Sequence, residues 1–210
     1  MRELIILGTG IHSAEIAEII GRINRLKPTW KLLGHIYPKS EQIPETFFNR
    51  RVLGGPDVIK KHKKAFFIAD NEFPKNIPVP QGRWATIIDP TCFVHSTARI
   101  GEGGVLFPFC YVGARAKIGF RFFALSGTII NHDDVIGDYV VSASSVTLAG
   151  NVVVGDYSYL GQGCAVRQFI KLGRNCLIGM SAVVVKDVEE NAVMAGNPAR
   201  KMRDRAKVLQ

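Results

Sequence analysis

The sequence predicts a small α/β domain followed by a three-sided stack of short strands, and three observations carry that prediction. The first is a six-residue period. The series Val94, Ile100, Leu106, Val112, Ile118, Ala124, Ile130, Ile136, Ser142, Leu148, Val154, Leu160, Val166, Leu172, Ile178 and Val184 runs without an insertion, and 14 of its 16 slots are branched aliphatic. The second is glycine directly after the aliphatic at 101, 113, 119, 137, 155, 161, 173 and 179, where a sharply turning chain favours a residue free of Cβ. The third is an alternation of strand and helix patterns before the repeat begins.

The amino-terminal pattern reads in order. Residues 3–7, Glu-Leu-Ile-Ile-Leu, form an apolar run suited to a buried strand, and Gly8-Thr9-Gly10 leads into an amphipathic helix from about Ser13 to Leu26. Trp30 to Tyr37 reads as a second strand. Pro56-Asp57 opens a short helix, and Ala65 to Ala69 reads as a third strand. A small, Rossmann-like parallel sheet follows from that alternation, with a ligand expected at the carboxyl ends of its strands. Pro74, Pro78 and Pro80 break the next stretch into a linker.

The repeat then takes over. Two places before each aliphatic sits a mostly small residue, including Cys92, Ala98, Gly104, Cys110, Ala116, Thr128, Ser158, Cys164, Cys176 and Ala182. Two inward positions per hexad fill a narrow interior, and three hexads close one coil of 18 residues, stacked at roughly the 4.8 Å strand spacing. Such units bury no core alone, so the stack folds as one body and needs caps. The resulting organisation is residues 1–84, an acceptor-binding α/β domain; 85–198, the coil stack; and 199–210, a basic tail or short helix.

Composition narrows the function. A hydrophobic fraction of 47% suits a globular protein, and no apolar run approaches the roughly 18 residues of a membrane span, so membrane insertion is not expected. Met1 to Leu7 passes straight into the first strand, with no leader-like stretch, and the expected location is cytoplasmic. All four cysteines fall in the inward hexad register, which favours buried small side chains over a metal site. The net charge of +9 is spread over both halves, 14 Lys/Arg before residue 86 and 13 after. The basic runs at 60–64 and 200–207 lack interleaved aromatics, so nucleic acid is not expected and solvated faces are.

Two constellations invite chemistry. Gly8-Thr9-Gly10-Ile11-His12-Ser13 stands between strand and helix, the context for an anion on backbone N–H groups. It is incomplete as a dinucleotide fingerprint, with Ser13 at the third glycine and no acid ending the second strand. Its two readings are a phosphate or sugar-nucleotide pocket and a tight turn. His132, second after Ile130, falls in an outward corner register beside Asp133, which is placed to fix its tautomer and stabilise the imidazolium of a general base. One coil on, in the column Ala114, His132, Gly150, Gln168, Gly150 offers an unobstructed backbone and an N–H for an oxyanion. No Ser or Cys nucleophile shares that column, which implies direct attack. The repeat body has only His95 and His132 as imidazoles, on different coils, so no metal is expected.

On these residues the chain resembles the bacterial hexapeptide acyltransferases, specifically the nucleotide-amino-sugar N-acetyltransferase and sialic-acid O-acetyltransferase (NeuD-like) family. The likeness rests on Leu7 to Ser13, Asn131-His132-Asp133, Ile136-Gly137-Asp138, Ala149-Gly150-Asn151 and Gly196-Asn197-Pro198-Ala199-Arg200. It implies a left-handed parallel β-helix, a homotrimer, and acetyl-CoA as co-substrate in a groove between subunits. It also implies catalytic roles for His132 as base, Asp133 as its orienting acid and the Gly150 amide as oxyanion donor. Gln162 and Met180 would contact the pantetheine arm, Arg200 and Lys201 would lie near the CoA phosphates, and Gly10, Ile11 and His12 would bind a sugar or nucleotide-sugar acceptor.

Three departures from the family pattern stand out. Val141 replaces a second His nine residues after the base, Tyr37-Pro38 replaces an acidic pair, and the helix usual after the third strand is cut to Asn71 through Gly82. The expected activity is acetyl transfer from acetyl-CoA to an amino or hydroxyl group of a sugar, in surface-glycan synthesis. The alternatives are O-acetylation of a free sugar such as sialic acid, and a non-catalytic binding or scaffold protein.

Overall fold

The computed structural model describes residues 1–206, which divide into two units, Met1–Pro90 and Thr91 onward. In the first, apolar runs make four parallel strands: β1 (Arg2–Leu7), β2 (Trp30–Ile36), β4 (Arg50–Gly54) and β5 (Phe66–Ala69), in the order β4-β2-β1-β5. Helix α1 (Ile11–Leu26) turns Ser13, Ile16, Ala17, Ile19 and Ile20 inward. Ile5, Leu7, Ile36 and Phe67 form the centre of the core. The short helix expected at Pro56 is a 3₁₀ turn, Pro56–Lys61.

One element was not foreseen. Strand β3 (Thr46–Phe47) pairs antiparallel with β4, making a hairpin at the sheet edge. Its central residues Phe48 and Asn49 have φ of 45° and 58°. Positive φ at both central positions is what a type I′ turn requires, and Phe-Asn is not a pair that announces one.

The second unit is a parallel β-helix with three flat faces. The first face stacks Phe93–Val94, Tyr111–Val112, Ile129–Ile130, Thr147–Leu148, Ala165–Val166 and Val183–Val184. The second stacks Arg99–Ile100, Lys117–Ile118, Val135–Ile136, Val153–Val154 and Lys171–Leu172. The third runs from Val105–Leu106 to Leu177–Ile178. Every pairing among these strands joins residues 18 apart, as with Val112 and Ile130. The fold class predicted from the repeat, an α/β domain followed by a parallel β-helix, is the one observed.

The aliphatic slots do face inward. Leu106, Val112, Ile130, Ile136, Leu148, Val154, Leu160 and Ile178 are all buried, each side chain contributing about 1.5–3 kcal/mol of burial. The two irregular slots, Ala124 and Ser142, are successive members of the third face. Phe122, buried, stands in the adjoining slot that most hexads fill with a smaller residue such as Cys110, Ala116 or Thr128, so volume lost at Ala124 is supplied next door. Buried Ser142 is matched by Thr128, whose Oγ1 lies 3.0 Å from its hydroxyl.

The glycines after the aliphatics do not make the sharp turns expected of them. At the corner after the first face the left-handed residues are Arg115, Asp133, Asn151 and Phe169, with φ of 60°, 63°, 63° and 64°, and not the glycines after the aliphatics. Those glycines serve the closeness of the coils instead. A Cβ on Gly113 would lie 2.7 Å from the His132 nitrogen, and one on Gly161 would lie 2.6 Å from the Ile178 carbonyl oxygen.

The carboxyl-terminal cap is a strand pair. Ala192–Ala195 extends the third face in parallel, and Arg200–Asp204 returns antiparallel to it. A basic tail or short helix was expected there. Residues 207–210 of that expected tail lie outside the described residues.

Candidate active site

The corner after the first face assembles the expected machinery. Asp133 takes the left-handed position, its N–H donating to the Ala114 carbonyl at 2.9 Å, and Asn151 repeats this on the His132 carbonyl at 3.0 Å. These bonds stack Ala114, His132 and Gly150 in consecutive coils. His132 points outward, 57% exposed, with Nδ1 2.8 Å from Asp133 Oδ2. Its Nε2 has no partner among the described residues. A carboxylate on Nδ1 holds the proton there and leaves Nε2 as the acceptor.

The ring lies directly over Gly150. A Cβ at residue 150 would come within 2.6 Å of both Cε1 and Nε2 of His132. The Gly150 carbonyl accepts from Phe169, while its N–H has no partner among the described residues. That N–H donor and the imidazole base thus sit on consecutive coils of one corner, the pair of groups that can serve an oxyanion and the proton removed in forming it.

Two residues that the sequence did not single out fix this corner. Arg115, one coil below Asp133 and also left-handed, donates from Nε to Asp133 Oδ1 at 2.6 Å and from Nη2 to Oδ2 at 2.7 Å. This fork, with the His132 bond second, holds the Asp133 carboxyl well below the usual carboxylate range. The signal was available, since residue 115 is 18 places before 133.

The other is Asp134, whose carboxylate is fully buried. Oδ2 accepts the Asn131 N–H and Oδ1 the Val152 N–H, each at 2.8 Å, while the Asn131 amide donates to the Leu148 carbonyl at 2.7 Å. Asp134 therefore clips the His132 turn to the segment that carries Gly150. Burial pushes its carboxyl up to about 7, against the pull of those two N–H groups.

The remaining candidates fall elsewhere. Gln162 and Met180 stack one coil apart at the corner between the third and first faces, Met180 being 71% exposed. Arg200 donates to the Ala199 carbonyl at 3.0 Å, and Lys201 is paired with Glu189 and, at 2.8 Å, with Asp204. Val141 is half-buried in a third-face strand, so no second imidazole stands at that place.

In the first unit, Gly10 caps α1, and His12 Nδ1 lies 2.8 Å from Glu15. The glycine loop faces carboxylates. Ser13 donates to Asp70 Oδ2 at 2.6 Å, and a Cβ on Gly10 would lie 3.3 Å from Glu72 Oε2 and 3.4 Å from Asp70 Oδ2. The same loop follows β1 at its carboxyl end, where Asp70 directly follows β5, and His35, buried, bonds the Gly8 carbonyl at 3.1 Å. Acids at this place disfavour a phosphate and suit hydroxyl or ammonium groups.

No protein-family model matches the chain. Among curated proteins it is 37% identical over 83 residues to an acyl-[acyl-carrier-protein]–UDP-N-acetylglucosamine O-acyltransferase of Thiobacillus denitrificans, covering 40% of this chain and 32% of that one. It is 36% identical over 123 residues to a GDP-perosamine N-acetyltransferase of Escherichia coli O157:H7, covering 56% of each. The chain therefore spans between a third and just over half of these relatives' own length.

Among solved structures, GDP-perosamine N-acetyltransferase of Caulobacter crescentus, in complex with CoA and GDP-perosamine, superposes with a TM-score of 0.85 at 20% identity, over 96% of this chain and 97% of that one. The acetyltransferase domain of PglB from Neisseria gonorrhoeae gives 0.83 at 20% identity, over 96% and 100%. At that identity the superpositions speak for the fold, and the curated sequences for the repeat. No helix among the described residues is long and apolar enough to cross a membrane. The uninterrupted hexads, the helix they wind and the relatives that share them converge on one conclusion: the chain carries the hexapeptide repeat and the fold of the acyltransferases it is similar to.

Proposed function

We propose that the protein is an acetyl-CoA-dependent acetyltransferase acting on an amino or hydroxyl group of a sugar, nucleotide-linked in the first reading, in bacterial surface-glycan synthesis. The observation that carries this is the His132 imidazole, fixed by Asp133 and lying on Gly150. Nε2 takes the proton of the acceptor as its nitrogen or oxygen attacks the thioester carbonyl. The Gly150 N–H donates to the oxyanion, the carbon–sulfur bond breaks, and the proton on His132 passes to the departing thiolate. Asp133 stays ionised and offsets the transient imidazolium. The complexes of the Caulobacter protein with CoA and GDP-perosamine support the choice of co-substrate and acceptor class.

A second acceptor, a free sugar, is favoured by one observation, the carboxylates of Asp70 and Glu72 at the glycine loop. A homotrimer in the cytoplasm belongs to the same reading. The exposed stack of Phe93 on Tyr111, ring centroids 5.0 Å apart, supports an interface on the first face. Light scattering in solution measures the assembly.

Thiol release from acetyl-CoA in the presence of UDP-, GDP- and dTDP-linked amino sugars and of free sialic acid tests the activity. Replacing His132 with Ala should lower turnover by roughly 10²- to 10⁴-fold, the loss of a general base. Turnover near that of the wild type in this variant would sink the assignment.

A further inference from the structure

A second surface of the β-helix adjoins the base, and its cations Arg99 and Lys117 have no role in the chemistry above. Thr97, Arg99, Arg115, Lys117, Asp133 and Val135 line a cleft of about 300 Å³ between the His132 corner and the second face. It holds three cations and one carboxylate. Arg115 is committed to Asp133 by its fork, and its backbone N–H donates to Thr97 Oγ1 at 2.9 Å. Arg99 and Lys117 have no carboxylate partner among the described residues.

Their placement is costly for the protein alone. Arg99 and Lys117 are register partners on adjacent parallel strands, one strand spacing of roughly 4.8 Å apart. Like charges directly opposite on neighbouring strands destabilise a sheet, and these two head a ladder whose next outward members are Val135 and Val153. A ligand anion between them removes the repulsion. The glycine loop of the first unit, where a phosphate would be sought, presents Asp70 and Glu72.

We infer that Arg99 and Lys117 hold an anionic group of the acceptor, the diphosphate of a nucleotide sugar or the carboxylate of a sugar acid, with the acceptor's nucleophile directed to His132. This rests on the acetyltransferase reading for the word acceptor, but the anion site stands on its own geometry. Arg115 contributes to both sides of the arrangement: its fork orients Asp133, and its charge adds to the cleft.

The test is calorimetric titration of the full chain with inorganic pyrophosphate and, separately, with N-acetylneuraminate. Wild type is compared with the double variant Arg99→Gln/Lys117→Gln and with Lys171→Gln, which changes a cation further along the same face. At least one probe should bind wild type and Lys171→Gln alike and lose ten-fold or more in affinity in the double variant, with CoA affinity unchanged. Loss with pyrophosphate assigns a diphosphate, and loss with the sugar acid assigns a carboxylate.

The inference is overturned if the double variant binds both probes as wild type does, if neither probe binds wild type at millimolar concentration, or if the loss is confined to CoA. Thiol release from acetyl-CoA is scored separately. A chain that binds a probe through these residues but transfers no acetyl group fails as a transferase while keeping its anion site.

Discussion

The His132 imidazole and the Gly150 backbone touch so closely that no side chain fits between them: a Cβ on residue 150 would fall 2.6 Å from the ring's Cε1 and Nε2. The glycine is therefore needed for its missing carbon as well as its N–H. Gly150→Ala should fold, because φ at this position lies outside the left-handed region. Displacing the ring by about 1 Å should lower kcat by about 100-fold. Adding Gly150→Ala to His132→Ala should cost much less than the product of the two, since both act on one contact. Fully multiplicative losses would show that the two residues act independently.

Arg115 should matter through Asp133. With Arg115→Ala, Asp133 loses the largest influence that depresses its carboxyl, so its folded-state value moves back up toward that of an ordinary aspartate. The sign follows: orientation of His132 depends on the ionised carboxylate, which is present above that value and lost as pH falls through it. The acid limb of kcat should shift to higher pH in Arg115→Ala. Arg115→Lys should restore part of the shift, as a point charge lacking the fork. A profile unmoved in both variants would leave Arg115 a corner residue without influence on the base.

Much of this was legible in the sequence because the coil period converts sequence distance into position. Once 18 residues make a coil, His132 and Gly150 are neighbours, and the outward register of His132 follows from counting past Ile130. The same arithmetic would have found Arg115 beneath Asp133. It could not assign the glycines, because turning sharply and packing closely both favour a missing Cβ; only φ tells them apart. Nor could it foresee the Phe48-Asn49 hairpin, whose positive φ values fall on residues that rarely adopt them together. Asp134 was hidden for a different reason. An acid beside two other polar residues reads as solvent-exposed, and its burial depends on the N–H of Val152 from the next coil.

Phe122 tests the volume argument. It is 1% exposed and the bulkiest occupant of its slot, in the hexad whose aliphatic is reduced to Ala124. Phe122→Ala should cost about 3–5 kcal/mol, read from denaturant midpoints at unchanged slope. Restoring the regular pattern with Phe122→Ala/Ala124→Ile should recover part of that loss. No recovery would mean that the two slots do not share space.

Asp134 sets the pH dependence of the corner. Burial raises its carboxyl to about 7, above the value of an unfolded aspartate, so the folded chain binds the extra proton between roughly pH 4 and 7. The resulting stability is fully present below the unfolded value and is lost as pH rises through about 7. Urea unfolding should therefore show wild type less stable at pH 8 than at pH 5. Asp134→Asn carries no titrating proton, so its stability should vary less across that interval. It also keeps only one carbonyl oxygen for two N–H donors, and a stranded buried donor costs about 1–3 kcal/mol. The variant should thus be weaker than wild type at pH 5, with the gap narrowing toward pH 8. A gap constant across that range would separate the fold's pH response from this carboxyl. Because the same two bonds clip the His132 turn to the Gly150 segment, kcat should fall in Asp134→Asn even where the protein remains folded.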